Sequence, residues 1–365
     1  MKRNDMAYKL KVDELFWVRV AAFLAFIIPF LACYKLWFSE RVFPLAPMFD
    51  FLMIPNYLGD IALIIVFLLL FLYFVCNPNW KVGLSILGIY MYWIVVDQNR
   101  IQGFFFEIML VVLALSQFKN DKELIKKCIL FIFIGTYFFS GIHKINTVFF
   151  ETWLSGLESR IPFVPNFLRE SFTYAVPFLE AIFGIFLVFA KTRKLGIWLI
   201  TIMHTMIVIT LLFAGSGYIV FPLTFFNVFV LFYLFYDTSK VKYPFTDLKH
   251  VKSFLIILLV FILPIFNFFG LYDHIPSFSY FSGKHEYCRL YFSSLEEAQS
   301  LPKDIYKNVR AYEGQYYLDF NDWASKTAPI LVYPEKRVYI KIQEHVNSQL
   351  KNPNTRLEFY KVSGK

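Results

Sequence analysis

Long apolar runs separated by short polar clusters make up most of this sequence. Each run is roughly 17–25 residues long, which is the length that a helix needs to cross about 30 Å of hydrocarbon. Hydrophobic residues account for 58% of the 365 residues, and charged residues for only 17%. Because a soluble core cannot bury so much apolar surface, the sequence predicts an all-α polytopic membrane protein that is surrounded by membrane lipid.

Charged or proline-containing breaks divide the apolar runs into about nine predicted transmembrane helices. The run 102–117 is short and contains Glu107, and the later orientation inverts if this run does not cross. The predicted spans are 15–38, 58–76, 81–97, 102–117, 124–143, 170–190, 194–214, 217–236 and 253–271.

The distribution of lysine and arginine predicts the orientation. With the N-terminus inside, the inner segments contain 16 of these residues and the outer loops contain 5. Because cytoplasmic loops carry the excess of positive charge, we expect a cytoplasmic N-terminus and an extracytoplasmic C-terminus. The same distribution explains the net charge of +9 without a nucleic-acid partner. The four cysteines are far apart, so neither a disulfide framework nor a metal site is predicted.

The composition becomes polar from about residue 272. Residues 286–292 are strand-like, and Ser294 with Glu297 is typical of a helix start. The stretch "APILVYPEKRVYIKIQEHVNSQLKN" is interpreted as a strand followed by a helix, and "TRLEFYKV" as a last strand. We therefore predict two domains, a transmembrane helical domain over 1–271 and a small extracytoplasmic α+β domain over 272–365. Two outer segments, 144–169 and 39–57, contain prolines and aromatic residues and are expected to roof a cavity.

Two ionisable residues are predicted to lie at the same depth in adjacent helices. Glu180 and His204 are each about twelve residues from the turn near 192–193, so both fall roughly 18 Å above that turn. A glutamate and a histidine at one height can share a proton. The alternative is an interhelical hydrogen bond that only fixes packing, worth about 1 kcal/mol.

Four residues near the end of the fifth span share one helical face, namely Tyr137, Ser140, Gly141 and Lys144. Gly141 would let a flat ligand or a neighbouring backbone approach the amine of Lys144. A lysine in a partly dry pocket can act as a base.

Two other interpretations of Lys144 stay open from the sequence. The side chain can extend to the interface as an anchor, or it can pair with Glu107 at the same outer level. His143 points elsewhere on the helix and is interpreted as a cap or as a second proton carrier.

The stretch "YFFSGIHKINTVFFETWLSGL" resembles the membrane domain of the vitamin K-dependent gamma-glutamyl carboxylases and their bacterial HTTM relatives. The shared pattern is Tyr137, Gly141 and Lys144 in the spacing Y-x-x-x-G-x-x-K, with Trp153 and Gly156 after it. Similarity extends over roughly 85–235 and includes the later helix with a histidine ahead of "SGYIVFP". DoxX-like proteins of similar shape serve quinone-linked redox reactions.

The resemblance implies a quinol cofactor, similar to vitamin K, and a base at Lys144 that deprotonates it. The predicted catalytic residues are Lys144, His143, Glu180 and His204. The predicted quinol-binding residues are Tyr137, Ser140, Gly141 and Trp153.

Two functions from different classes follow. The first is a carboxylase-like integral membrane enzyme, a lyase that uses a reduced quinone at the outer leaflet. The alternative is a non-enzymatic membrane accessory or maturation protein that docks a secreted peptide or partner through its outer domain. A transporter is less favoured, since no pair of broken helices in repeated halves is visible.

Overall fold

The computed structural model describes residues 13–52, 56–117, 121–214, 217–238, 241 and 251–361. Helices dominate the chain as far as Phe269, and a small sheet with short helices follows. The predicted helical membrane domain and the predicted C-terminal sheet region are both present.

The first half of the membrane domain contains five helices. Asparagine or aspartate side chains accept backbone N–H bonds at the start of α2, α3 and α5, which satisfies donors that would otherwise be orphaned. The helices are α1 (Phe16–Ala32), α2 (Tyr57–Cys76), α3 (Trp80–Val96), α4 (Gly103–Gln117) and α5 (Lys122–His143).

The second half begins with a short helix that follows the end of α5. The helix α9 continues as a π-helical turn at Leu231–Phe235, and a second π-helical turn at Leu258–Ile262 joins the last two membrane helices. The helices are α6 (Thr147–Arg160), α7 (Asn166–Val188), α8 (Arg193–Ala214), α9 (Phe221–Val230), α10 (Val251–Ile257) and α11 (Leu263–Phe266).

Among the described residues, five helices are long and apolar enough to cross a membrane, which supports an integral multi-pass protein. They are Tyr57–Cys76, Lys122–His143, Asn166–Val188, Arg193–Phe213 and Tyr218–Phe235. Four apolar helices are shorter, namely Phe16–Ala32, Trp80–Val96, Gly103–Gln117 and Ser253–Phe269. The count of nine spans and the cytoplasmic N-terminus therefore stay predictions. Many of the basic residues behind that orientation, including those in 1–12 and 242–250, lie outside the described residues.

The helix α5 is the centre of the membrane domain. Of its most apolar window, 83% is buried, against 22% to 39% for the other four long helices. Two glycines let it approach α7 closely. A Cβ on Gly141 would lie 2.5 Å from backbone atoms of Pro177 and Ala181, and a Cβ on Gly184 would lie 2.9 Å from the backbone of α5. Small residues at such crossings allow tight helix packing in lipid.

The described parts of the two segments that the sequence predicts to lie outside, 144–169 and 39–57, differ in structure. In 144–169 the structure has the helix α6, in which Phe149 is the buried residue. The loop after α1 is tied to the turn after α3, since the Asp97 carboxylate pairs with Arg41 at 2.5 Å and accepts the backbone N–H of Ala46 at 3.1 Å. Arg100 is more distant from Asp97, at 3.9 Å. The turn after α3 is therefore closed mainly by the long-range pair of Asp97 with Arg41.

The C-terminal part, which we call the tail domain, is a four-stranded antiparallel sheet with helices. The strands are β1 (Tyr287–Phe292), β2 (Val309–Tyr312), β3 (Gln315–Asp319) and β4 (Arg356–Tyr360), in the spatial order β2-β3-β1-β4. The helices are α12 (Leu295–Gln299), α13 (Lys303–Tyr306), α14 (Phe320–Thr327) and α15 (Lys336–Ser348). The strand expected at "APILVYP" is instead an irregular segment before α15.

Candidate functional site

Lys144 immediately follows the last residue of α5. It is buried, with 7% of the residue exposed. Its Nζ is 2.7 Å from Oε2 of Glu180 on α7. It also donates to Oγ of Ser140 at 2.7 Å and to the Ser140 carbonyl at 3.1 Å. A lysine ammonium has three N–H donors, so all three already have acceptors.

Glu180 and His204 do not pair with each other as the sequence predicted. Glu180 faces α5 and binds Lys144, whereas Nε2 of His204 is 2.7 Å from the hydroxyl of Tyr137. The close crossing of α5 and α7 turns the Glu180 face of α7 toward α5. The alternative pairing of Lys144 with Glu107 is not formed either, because Glu180 is the partner of that lysine.

The space beside Gly141 is filled by α7. The carbonyl oxygen of Pro177 and the backbone nitrogen of Ala181 both lie 2.5 Å from the position that a Cβ of Gly141 would take. Of the two approaches that the sequence left open at this glycine, the structure therefore shows that of a neighbouring backbone. At this point the structure leaves no gap for a flat ligand.

Tyr137 belongs to a second polar cluster, which lies among the apolar helices. Besides its hydrogen bond to His204, it lies beside the amide of Asn227 on α9 and within electrostatic reach of Glu107 on α4. The Asn227 amide also lies beside the Glu107 carboxyl. We call these four residues the Tyr137 cluster. The sequence analysis missed Asn227, and the only available signal was an amide inside the apolar run "LTFFNVFVLF".

Several polar atoms of the Tyr137 cluster have no hydrogen-bond partner among the described residues. They are both carboxylate oxygens of Glu107, Oδ1 of Asn227 and Nδ1 of His204. Glu107 is 1% exposed, and Asn227 is 2% exposed. Buried unpartnered atoms are rare and require an explanation.

The two remaining predicted site residues lie apart from the Tyr137 cluster. His143 accepts a hydrogen bond at Nδ1 from the Lys284 ammonium, 3.1 Å away, and its ring stacks on Phe268 at 4.5 Å. Trp153 lies on α6 and stacks on Phe149 at 5.6 Å. His143 therefore contacts the segment that leads into the tail domain.

Polar contacts fix the tail domain on the membrane domain at the turn after α3. The rings of Trp323 on α14 and of Phe43 pack edge to face, with their centroids 4.9 Å apart. The hydrogen bonds run from Tyr333 N to Asn99 Oδ1 (3.1 Å), from Gln102 Nε2 to the Leu331 carbonyl (3.0 Å) and from Arg337 Nε to Gln98 Oε1 (2.6 Å).

Asp273 stabilises the same junction. Its carboxylate pairs with the Arg337 guanidinium and accepts the Tyr333 hydroxyl at 2.6 Å. Burial raises the pKa of Asp273, but the hydrogen bonds from Arg337 and Tyr333 together outweigh burial, so its pKa lies below the usual 3.8. Within the described part of the chain, no group of three or more possible metal ligands is found.

Comparison with known proteins gives a match to a protein-family model. Residues 122–234 match the family model described as "Methylamine utilisation protein MauE". This segment runs from α5 to the π-helical turn after α9 and includes Lys144, Glu180 and three members of the Tyr137 cluster. Neither a curated protein nor a solved structure matches the chain.

The match to MauE overturns the resemblance inferred from the sequence. The prediction of a gamma-carboxylase or HTTM protein, and with it the prediction of a carboxylase or lyase, is wrong, because the Y-x-x-x-G-x-x-K pattern lies within the matched segment of a different family. Short patterns of apolar and small residues recur wherever helices pack closely in lipid. The chain is an integral multi-pass membrane protein whose central helices are similar to MauE.

Proposed function

We propose that this chain is a non-enzymatic integral membrane accessory protein that docks a secreted protein through its tail domain. The process that it serves is of the kind named in the MauE description, methylamine utilisation. The observation that carries the proposal is the saturation of Lys144, whose three donors are held by Glu180 and Ser140 beside a glycine that α7 covers. Such an amine anchors helices and has no free position for a substrate.

The surface for docking is one face of the sheet, which we call the tyrosine face. Tyr287 pairs with Tyr360 across the strands, and Tyr291 pairs with Tyr317, with ring centroids 5.7 Å and 5.5 Å apart. Arg289 lies between these pairs, 4.3 Å from the Tyr360 ring and 5.0 Å from the Tyr317 ring. Tyrosine and arginine are the residues enriched at protein interfaces, where they provide much of the binding energy.

The charges around the tyrosine face favour a protein over other partners. Each of the three arginines on this face of the sheet has a carboxylate nearby. The pairs are Arg289 with Asp319 (3.4 Å), Arg310 with Asp322 (2.8 Å) and Arg356 with Glu358 (3.5 Å). Anionic lipids and nucleic acids are attracted by unneutralised positive charge, which this face does not offer. A folded protein or a peptide matches its aromatic and internally paired composition better.

A paired substitution separates the accessory function from an enzymatic one. In a deletion strain of the host, we compare Lys144→Met/Glu180→Leu with the wild-type chain, scoring growth on methylamine and membrane abundance. Removal of both partners leaves no buried charge, so the double variant should fold and restore growth. A double variant of normal abundance that fails to restore growth would show that Lys144 has a chemical role.

The quinol predicted from the sequence is tested on the same preparations. Lipid extracts of purified wild-type protein and of the double variant are compared by mass spectrometry. An accessory protein should carry no quinone beyond the amount in the surrounding membrane. A quinone that is stoichiometric in the wild type and lost in the double variant would contradict the proposal.

The docking surface is tested by site-specific crosslinking in intact cells. A photoreactive residue replaces Tyr291 or Tyr317, and the control replaces Ala311, which is exposed on the edge strand β2 and pairs with Tyr316 on the opposite face of the sheet. We expect a crosslink to one secreted protein from the tyrosine face but not from the control. Tyr317→Ala should weaken growth on methylamine at normal abundance. Equal crosslinking at all three positions, or full growth of the Tyr317→Ala strain, would reject this surface.

A further inference from the structure

Glu107 is the one acid of the Tyr137 cluster, and it lies where an ionised carboxylate is costly. It is on the first turns of α4, 1% exposed, and neither carboxylate oxygen has a hydrogen-bond donor in the part of the chain that the structure describes. A charged, unpaired carboxylate in such surroundings is strongly disfavoured, and ionisable groups in membrane segments therefore mark functional sites.

The cationic side chains at the end of α5 and in the turn after α3 already have hydrogen-bond acceptors. Lys144 is held by Glu180 and Ser140, and the guanidinium of Arg100 donates to the carbonyl oxygens of Leu36 and Trp37. Within the described ranges, no salt bridge reaches Glu107. The negative charge of an ionised Glu107 would thus have no counter-charge.

The groups that face Glu107 come from several elements and are uncharged. They are the Asn227 amide from α9, the Tyr137 hydroxyl from α5 and Tyr280 from the segment before the tail domain. The Tyr137 hydroxyl already contacts His204 of α8 at 2.7 Å. Oδ1 of Asn227 has no donor among the described residues either. These three oxygens of Glu107 and Asn227 therefore have no donor within the described residues, and a proton on Glu107 would supply one.

We propose that Glu107 is a proton-binding site inside the membrane domain, distinct from the Lys144–Glu180 pair. When the carboxylate takes up one proton from water, an O–H bond forms, and this group donates a hydrogen bond to Oδ1 of Asn227. One proton removes the unpaired charge of Glu107 and gives Oδ1 of Asn227 a donor. The site contacts α9, α5 and α8 through Asn227, Tyr137 and His204. Loss of the proton would therefore change the contacts of three helices.

This site gives the protein a second property besides docking. A group that binds one proton within the bilayer is what a membrane process coupled to proton movement requires. The proposal does not depend on the tail domain or on the identity of the docked partner. It fails or stands separately from the accessory function, because its test needs only the purified full chain.

Infrared spectroscopy of the full chain in lipid nanodiscs tests the proposal directly. At neutral pH the wild type should show the carbonyl stretch of a protonated carboxylic acid, and this band should shift in heavy water. Glu107→Gln should abolish the band, while the control Glu180→Gln should retain it because Glu180 forms a salt bridge with Lys144. No acid band in the wild type, or a band that survives in Glu107→Gln, would overturn the proposal.

A second variant keeps the test decisive if Glu107→Gln does not accumulate. Asn227→Leu removes the acceptor but leaves the acid, so the band should remain and move to the position of a carboxylic acid without a hydrogen bond. An unchanged band position would reject the Glu107–Asn227 hydrogen bond. Titration with methylammonium chloride separates the proton from a small cation. Loss of the band on adding the ammonium salt would mean that the site takes that cation, and a proton site would then be the wrong assignment.

Discussion

Glu180 and Glu107 are both buried carboxylates on apolar helices, yet their surroundings differ in one respect. Glu180 lies 2.7 Å from the Lys144 ammonium, at the level where α5 ends. Glu107 lies among uncharged groups and has no hydrogen-bond donor within the described residues. A carboxylate can keep its charge in lipid when a cation is in contact, and it otherwise favours the neutral form. The nearest partner, and not depth alone, decides which state is stable.

The largest expected effect comes from removing the cation beside Glu180. This carboxylate would then be unpaired, as Glu107 is within the described residues. Lys144→Ala leaves the Glu180 carboxylate buried without a cation, which typically costs about 3–5 kcal/mol of stability. We expect a large loss of membrane abundance and a lower unfolding midpoint in detergent. The surviving protein should gain a second carboxylic-acid infrared band, from Glu180.

The double variant Lys144→Met/Glu180→Leu is the matched control for this prediction. It removes both charges, so its unfolding midpoint should return close to that of the wild type. An equal loss in the single and the double variant would show that packing, and not the ion pair, sets the stability here.

A smaller effect is expected from moving α7 away from α5. Gly141→Ala adds a methyl group 2.5 Å from backbone atoms of Pro177 and Ala181, and overpacking of this kind costs about 1–3 kcal/mol. The shift would lengthen the Lys144–Glu180 contact. Thermal unfolding in detergent, followed by circular dichroism, measures the loss.

The control for Gly141 is another glycine in a membrane helix. A Cβ on Gly88 of α3 would meet no atom within 4 Å, so Gly88→Ala should be neutral or stabilising, by up to about 1 kcal/mol from helix propensity. A Gly141→Ala variant as stable as Gly88→Ala would contradict the tight crossing.

The smallest effect concerns a carboxylate outside the membrane helices. Asp273 is held ionised at the tail-domain junction, and its pKa is lowered below 3.8. A lowered folded-state pKa stabilises the junction above the unfolded value, and this contribution is lost as the pH falls through the folded value. Because the Arg337 side chain is 48% exposed, we expect no more than about 1 kcal/mol.

Hydrogen exchange of α15 between neutral pH and pH 3 measures this junction. Protection should fall as Asp273 takes up its proton, and Asp273→Asn should exchange at the faster rate even at neutral pH. A variant with unchanged exchange would show that Asn99, Gln98 and Gln102 hold the tail domain without Asp273.

Some elements were predictable from local sequence. The strand predicted at 286–292 is β1 (Tyr287–Phe292), and the start signal at Ser294 opens α12, where the Ser294 side chain accepts the Glu297 N–H. Both depend on residues within a few positions of one another. "APILVYP" was mistaken for a strand because its backbone bonds to side chains of the membrane domain: the Leu331 carbonyl accepts from Gln102, and Tyr333 N donates to Asn99.

The candidate site was only partly predictable, for a related reason. Lys144, Glu180, Tyr137 and His204 were all recognised as polar residues in apolar runs, but Glu180 was paired with His204, and the Tyr137–His204 contact was not predicted. Helices of equal depth can be rotated so that a given residue faces any of several neighbours, and a hydropathy pattern does not fix that rotation. Asn227 was missed because a single amide does not stand out as an ionisable residue does.

The sequence by itself determined that this is a membrane protein of many helices with a polar tail, because the length and apolarity of each run decide whether it can lie in lipid. Only the tertiary structure decided that Lys144 binds Glu180 and that no cation among the described residues pairs with Glu107. Those outcomes depend on the crossing of α5 and α7 at Gly141 and on contacts between residues up to 120 positions apart, here Glu107 and Asn227. Lipid provides no water to complete a polar group, so the rotation of each helix fixes which charges stay paired.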